Sequence, residues 1–352
     1  MAPIAVEPQS PPTPAAVSGK RVDPTPRVDY FDAASATTEQ LKSSLARNGA
    51  FIIRNLVSQE DMGKVVEDVR PHFEDDTPWE GVCFPPQTRR FSGIVAKSDT
   101  FRHKVVMNKA WLDLCNEVLS ITNAAWFGDV CAESTSKPIL GVTVCFRVSP
   151  GAEGQGLHRD SMPHHVNNPA CTVDEYNFSR DVALNMFIAG TKTTKENGAT
   201  RFVPGSHLGK STEKGNEEDA VYAEMEPGDA MIMLSSVYHG GSANMSKDED
   251  RLVFTAFMNR GTMRTVSLAE SSIFDLRKLK NADRQYSKGE NLYLTIPPEQ
   301  AAKWSDEELE VCGYAMSHPF LGMVNFVDPM VAIRGQKEGK RYDITDAKVV
   351  SS

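Results

Sequence analysis

His158 and Asp160 stand two positions apart, His239 follows in a later segment, and Arg251 comes twelve positions further on (239 to 251). In an extended segment, residues two apart project from one face. One imidazole and one carboxylate can therefore reach the same ion, and an imidazole from a distant strand can complete a set of three. Two imidazoles and a carboxylate on one face of an octahedral ion leave three positions open, the ligand set of non-haem Fe(II) oxygenases. Open positions let a cosubstrate and O2 be held together. 2-Oxoglutarate would chelate through its keto and C1 carboxylate oxygens, and its far carboxylate needs a cation. Arg251 is the candidate, because a guanidinium pairs bidentately with a carboxylate and stays charged when buried. Gln155, three before His158, could hydrogen-bond the same cosubstrate. A bare His-x-Asp arises by chance in many chains; the weight rests on its combination with His239 and Arg251.

The elements around these residues are β-rich. From about 140 to 260, short runs rich in strand formers recur: Leu140–Val148, Val182–Ala189, Thr200–Val203, Ala230–Leu234 and Leu252–Met258. Pro150-Gly151, Asn197-Gly198, Pro204-Gly205, Pro227-Gly228 and Gly240-Gly241 separate them as turns. Many short strands with Gly/Pro turns indicate a sandwich or barrel. Ahead of them, Thr37 with Gln40 forms a capping box for a helix through Arg47, Ala50–Arg54 reads as a strand, and Ser58 with Asp61 opens a helix that stops before Pro71. A single helical pattern runs from about Thr100 to Leu119, and Ser305 with Glu308 opens a late helix to about Cys312. Residues 1 to 27 hold seven of the 21 prolines and almost no large apolar side chains, which reads as a disordered tail. One domain is expected over 28–335, followed by a tail over 336–352.

The 352 residues carry 47 acidic and 38 basic side chains, a net charge of −9, which argues against a nucleic-acid binder. The six cysteines form no CxxC pair and read as reduced thiols of a cytoplasmic protein. No run approaches the ~20 apolar residues of a membrane span, and no secretory signal or peroxisomal Ser-Lys-Leu is visible.

The run Val148-Ser-Pro-Gly-Ala-Glu-Gly-Gln-Gly-Leu-His-Arg-Asp160, followed by Glu196-Asn-Gly-Ala-Thr-Arg-Phe-Val-Pro-Gly-Ser-His207, Glu226-Pro-Gly-Asp229, His239-Gly-Gly-Ser-Ala-Asn244 and Arg251, resembles the phytanoyl-CoA dioxygenase family. Its flavour is that of fungal members that tailor secondary metabolites. The similarity extends from about Leu41 to Pro329, and includes Arg89-Arg90-Phe-Ser-Gly93 and Cys312-Gly-Tyr-Ala-Met-Ser-His-Pro-Phe-Leu-Gly322. The resemblance implies a mainly β fold, a double-stranded β-helix (jelly-roll) core with flanking helices. It also implies Fe(II) held by His158, Asp160 and His239, and 2-oxoglutarate held by Arg251 and Gln155, with O2 as the other cosubstrate. Thr194 sits where relatives contact the cosubstrate. A small-molecule substrate and a homodimer are further implications, and substrate contacts are expected from 77–94, 161–180 and the C-terminal region. Because Asp160 is present, the halogenase variant that lacks this carboxylate is not indicated.

A zinc hydrolase at the same triad, or a jelly roll that binds without catalysis, are the alternatives. Arg251 weighs against the first and the intact triad against the second. Gly205–Ser211 resembles a phosphate loop, but Pro204 stands where that loop needs glycine. His207 reads as a structural turn residue, His164 and His165 as an exposed loop, and Glu217-Glu-Asp219 as a solvated turn. For Arg89 and Arg90, closure over the site and a solvated loop are equally open.

Overall fold

The computed structural model describes residues 27–75, 84–263, 296–317, 321–322, 328–334 and 348–351. The proline-rich segment to residue 26, most of the 336–352 segment, Cys83 and His318 lie outside the described residues. Strand β1 (Asp29–Asp32) and strand β2 (Ala50–Arg54) pair in parallel and flank helix α1 (Thr38–Asn48). The capping box is closed: Thr37 Oγ1 accepts from the Gln40 N–H at 3.3 Å, and Gln40 Oε1 accepts from the Thr37 N–H at 2.9 Å. Gly49, at φ 75°, stops the helix in the left-handed region that glycine adopts without strain. Ser58 caps α2 (Gln59–Val69), and the chain passes Pro71 as a 3-10 turn, Arg70–Asp75.

The expected single helix over 100–119 is divided. After α3 (Ile94–Lys97) and α4 (Asp99–Phe101), residues Arg102–Val106 form a π turn in which the Met107 N–H reaches the Arg102 carbonyl at 2.9 Å. Asn108 then caps a fresh helix, α5 (Lys109–Leu119), its Oδ1 accepting from the Trp111 N–H. A capping residue at 108 outweighed the continuous apolar periodicity.

Eleven more strands follow: β3 (Thr88–Ser92), β4 (Ile121–Phe127), β5 (Val130–Ser136), β6 (Ile139–Val148), β7 (Ala183–Ala189), β8 (Thr200–Phe202), β9 (Val221–Tyr222), β10 (Ala230–Leu234), β11 (His239–Gly241), β12 (Arg251–Asn259) and β13 (Lys348–Ser351). The largest sheet runs β1-β2-β10-β7-β12-β6-β3. A small sheet runs β11-β8-β9, and His158 extends it by an antiparallel bridge to His239. From β6 onward the chain alternates between the two: β6 in the large sheet, the His158 segment in the small one, β7 large, β8 and β9 small, β10 large, β11 small, β12 large. That alternation is the double-stranded β-helix, mainly β with flanking helices, and its two sheets face each other without closing into one barrel.

Alternation along each strand decides what faces the gap. On β12, Phe254 turns outward and meets Phe101 of α4 with ring centroids 6.1 Å apart. Arg251 and Phe257 turn inward, toward Thr200 of the small sheet and Phe187 of β7. Helices cover the outer face, and the inner face is left for the site.

Candidate active site

The His158 N–H donates to the His239 carbonyl and the His239 N–H to the His158 carbonyl, both at 2.9 Å. This reciprocal pair of main-chain bonds, rather than a regular strand through 158–160, sets the two imidazoles side by side with ring centroids 4.5 Å apart. Each Nδ1 lies against a nearby carbonyl, His158 on Gly156 at 3.0 Å and His239 on Val237 at 3.2 Å. With the ring proton held there, each Nε2 keeps its lone pair for a ligand position. Both Nε2 atoms face Asp160, at 3.7 Å from Oδ1 for His158 and 3.4 Å from Oδ2 for His239. One ligand atom from each of the three side chains lies within 4.8 Å of the others, a grouping that fits a single metal ion.

Electrostatics sharpen the grouping. Burial works against charge on His239, yet the carboxylate of Asp160 raises its pKa above the ordinary value. His158 is lowered, by burial and then by the neighbouring His239. Asp160 is held below the usual carboxylate range, because His239, His158 and Asn185 together outweigh its burial.

Two outer ties fix the strands that carry these ligands. Arg201 on β8 donates to the Gly241 carbonyl and to the Gln155 carbonyl, each at 2.7 Å, and its other edge pairs with Glu217 through Nε–Oε2 at 2.7 Å and Nη2–Oε1 at 2.9 Å. Glu217 is therefore not merely part of a solvated turn: it orients the guanidinium that joins the two ligand segments. The second tie lies on the opposite face from the ligands. Arg159 stacks over the Tyr238 ring at 4.2 Å and donates to the Ser206 carbonyl at 2.7 Å.

Arg251 is 3% exposed, and burial pushes its pKa down to about 10, so it remains a cation at neutral pH. One guanidinium nitrogen donates to Thr200 Oγ1 at 3.3 Å, its Nε has no acceptor, and no carboxylate pairs with it among the described residues. A buried, unneutralised guanidinium is costly unless something anionic arrives. Thr200 pairs with Gly241, two positions along the small sheet from the Phe202–His239 pair, roughly 7 Å at the rise of a strand. The cation is thus offset along the small sheet from the triad and more buried than His158 or Asp160.

Gln155 is brought beside β11, where its Oε1 accepts from the Gly241 N–H at 3.1 Å. Thr194 is not brought to the triad. Its hydroxyl accepts from the Asn197 N–H at 3.2 Å, and it lines an outer cleft of about 460 Å3 with Arg54, Lys192 and Glu226. His207 is buried, its Nε2 lying 3.1 Å from the Ala46 carbonyl and its ring against Tyr176, the structural role expected of it. Arg90 belongs to β3, in register with Phe146 at the open edge of the large sheet, and lies over the Phe84 ring at 4.5 Å. Sequence reasoning missed Asn185, whose Nδ2 donates to Asp160 Oδ2 at 2.7 Å. The available signal was a lone polar residue in the apolar run Ala183–Ala189.

A family model described as phytanoyl-CoA dioxygenase (PhyH) matches residues 45–253. Dioxygenase himG of Aspergillus japonicus is 32% identical over 317 residues, covering 90% of this chain and 94% of that protein. Dioxygenase peniF of Penicillium patulum is 32% identical over 314 residues, covering 89% and 94%. Among solved structures, the epimerase SnoN in complex with Fe3+, alpha ketoglutarate and nogalamycin RO is similar at a TM-score of 0.47 and 18% identity, over 63% of this chain and 83% of that one. A match of this extent, on a chain that brings His158, Asp160 and His239 together, places the protein in the phytanoyl-CoA dioxygenase family, as an Fe(II)- and 2-oxoglutarate-dependent oxidoreductase that uses O2.

Proposed function

We propose that this dioxygenase oxidises a C–H bond of a small organic metabolite in fungal natural-product biosynthesis, by hydroxylation, desaturation or rearrangement. The observation that carries the assignment of the site is Arg251, a buried cation lacking an acidic partner among the described residues, offset along the small sheet from a cluster of two imidazoles and a carboxylate. His158, Asp160 and His239 hold the metal, and the carbonyls of Gly156 and Val237 keep both imidazoles in the ligating tautomer. Arg251, supported by Thr200, receives the far carboxylate of 2-oxoglutarate, and Gln155 borders the same cosubstrate from the His158 segment. For Thr194 the reading gives a weaker, indirect part, through the turn it closes with Asn197. Bound iron supplies the oxidising power, taking one O2 and the decarboxylation of 2-oxoglutarate to succinate and CO2 for each R–H converted to R–OH. Phe187, against both His239 and Phe257, keeps one wall of the site apolar and restricts water.

The relatives' fungal sources support the natural-product setting. A cytoplasmic location and a homodimer belong to the same proposal. The first accords with five free cysteines and no helix long and apolar enough to cross a membrane among the described residues; the second is read by sedimentation equilibrium. The test of the site is an anaerobic titration with Fe(II) and 2-oxoglutarate, following the visible charge-transfer band, with Arg251→Ala and His239→Ala beside the wild type. A band present in the wild type and absent in both variants is expected. An iron-loaded wild type without a band overturns the reading.

A further inference from the structure

Asn185 is 1% exposed and lies in the middle of a seven-residue strand, Ala183–Ala189, whose other side chains are all apolar. Its neighbours across the sheet are Met233 of β10 and Phe257 of β12. Nothing about that setting calls for an amide. A buried amide carries four hydrogen-bonding capacities, and here only part of them is satisfied among the described residues. Nδ2 donates to Asp160 Oδ2 at 2.7 Å, while Oδ1 is fully buried and has no partner among the described residues. The orientation is settled chemically, since turning the carbonyl toward Asp160 would set two acceptors against each other. An orphaned buried acceptor destabilises a fold, and an apolar side chain of the same shape would pack this strand without that cost.

We propose that Asn185 is a positioning residue for the metal site: it holds Oδ2 of Asp160 so that the carboxylate presents its other oxygen to the ion. The proposal rests on the assignment of His158, Asp160 and His239 as metal ligands. Without Asn185, His239 Nε2, 3.4 Å from the same Oδ2, is left as its nearest partner. The imidazole and carboxylate would then satisfy each other, and the ion would have to separate them. Asn185 occupies Oδ2 and so keeps both groups available. Partners that orient a metal ligand in this way typically change metal affinity 10–100-fold when removed.

The experiment is Co(II) binding to the purified full chain by calorimetry and visible absorption, together with thermal unfolding of the metal-free protein, for wild type, Asn185→Leu and Asn185→Ala. Both variants are expected to bind Co(II) ~10–100-fold more weakly and to shift its visible spectrum, because the carboxylate is free to hold the ion through both oxygens. Metal-free Asn185→Leu is expected to unfold no earlier than the wild type. Wild-type affinity and spectrum in both variants would overturn the proposal. So would an Asn185→Leu protein that fails to fold or melts much earlier, since Asn185 would then serve the fold. A wild type that binds no Co(II) sinks the ligand assignment itself, and the proposal with it, a result distinct from the other two.

Discussion

Asp160 and Asp181 are both largely withdrawn from solvent, and they are held in opposite ways. Asp181 is 1% exposed; Tyr176 donates to its Oδ2 at 2.6 Å and Ser236 to its Oδ1. Its main-chain carbonyl accepts from Arg260 Nε at 2.7 Å, and the remaining Arg260 nitrogens donate to the carbonyls of Leu119 and Phe178. Burial pushes the Asp181 pKa up, and neutral hydroxyls bring it only part of the way back. Asp160 is held down by two imidazoles and an amide. The contrast lies in what is left over. Around Asp181, each carboxylate oxygen and each Arg260 nitrogen ends on another part of the chain. Polar groups that close on one another hold the Asp181 corner; beside the triad, an amide oxygen and a guanidinium nitrogen are among the buried polar atoms that the described residues leave without a partner.

The sharpest way to break this contrast is to remove one ligand. His239→Ala should abolish Fe(II) binding in anaerobic calorimetry, a larger loss than the ~10–100-fold expected for an outer partner, while leaving the Asp181 cluster and the far-ultraviolet spectrum intact. Next comes Arg251→Ala, which should weaken 2-oxoglutarate by about 100-fold, or about 3 kcal/mol, the scale for truncating one side of a buried charge pair. Without cosubstrate the same variant should unfold no earlier, because an unneutralised buried charge has been removed. Urea unfolding with and without 2-oxoglutarate reads both effects.

His207, whose ring packs against Tyr176 of the Asp181 cluster, makes pH the next probe. Burial pushes the His207 pKa down to about 4 from an ordinary 6.5. The unfolded chain therefore binds a proton that the folded one resists. The stability His207 contributes is fully present above pH 6.5 and is lost as pH falls through 4, by roughly 3 kcal/mol in all. Urea unfolding between pH 7.5 and 4 should show that slope, and His207→Gln should flatten it. The smallest effect is expected from Asp181→Ala, about 1–3 kcal/mol of stability for leaving the Tyr176 and Ser236 hydroxyls unpaired. Calorimetry should find its Co(II) affinity unchanged; a large change there would erase the distinction between the two aspartates.

Much of this was legible in the residues, for identifiable reasons. Caps are local, so Thr37 with Gln40 and Ser305 with Glu308 marked their helices correctly. Fully buried strands are continuous apolar runs, and Ala230–Leu234 was read to the residue. The grouping of His158, Asp160 and His239 was legible because metal chemistry restricts residue type and spacing. The β4–β5 hairpin escaped because every residue of Ile121–Phe127 is exposed: with no buried face there is no alternation to detect. Gly128-Asp129, with Gly128 at φ 60°, was the one turn signal between those strands. Asn185 escaped because its meaning lies entirely in a partner 25 residues earlier in the chain (160 to 185).

The reciprocal main-chain bonds between His158 and His239 also bear on how the protein comes to exist. They join residues 81 positions apart (158 to 239), so the ion-binding corner cannot assemble until most of the β-helix has been laid down. Contacts of such long range are late and slow to form. A metal captured at so late a stage should do little to hasten folding, and should instead slow the escape from the finished state. The ion then acts as a latch on unfolding, setting how long a folded copy lasts rather than how quickly one is made.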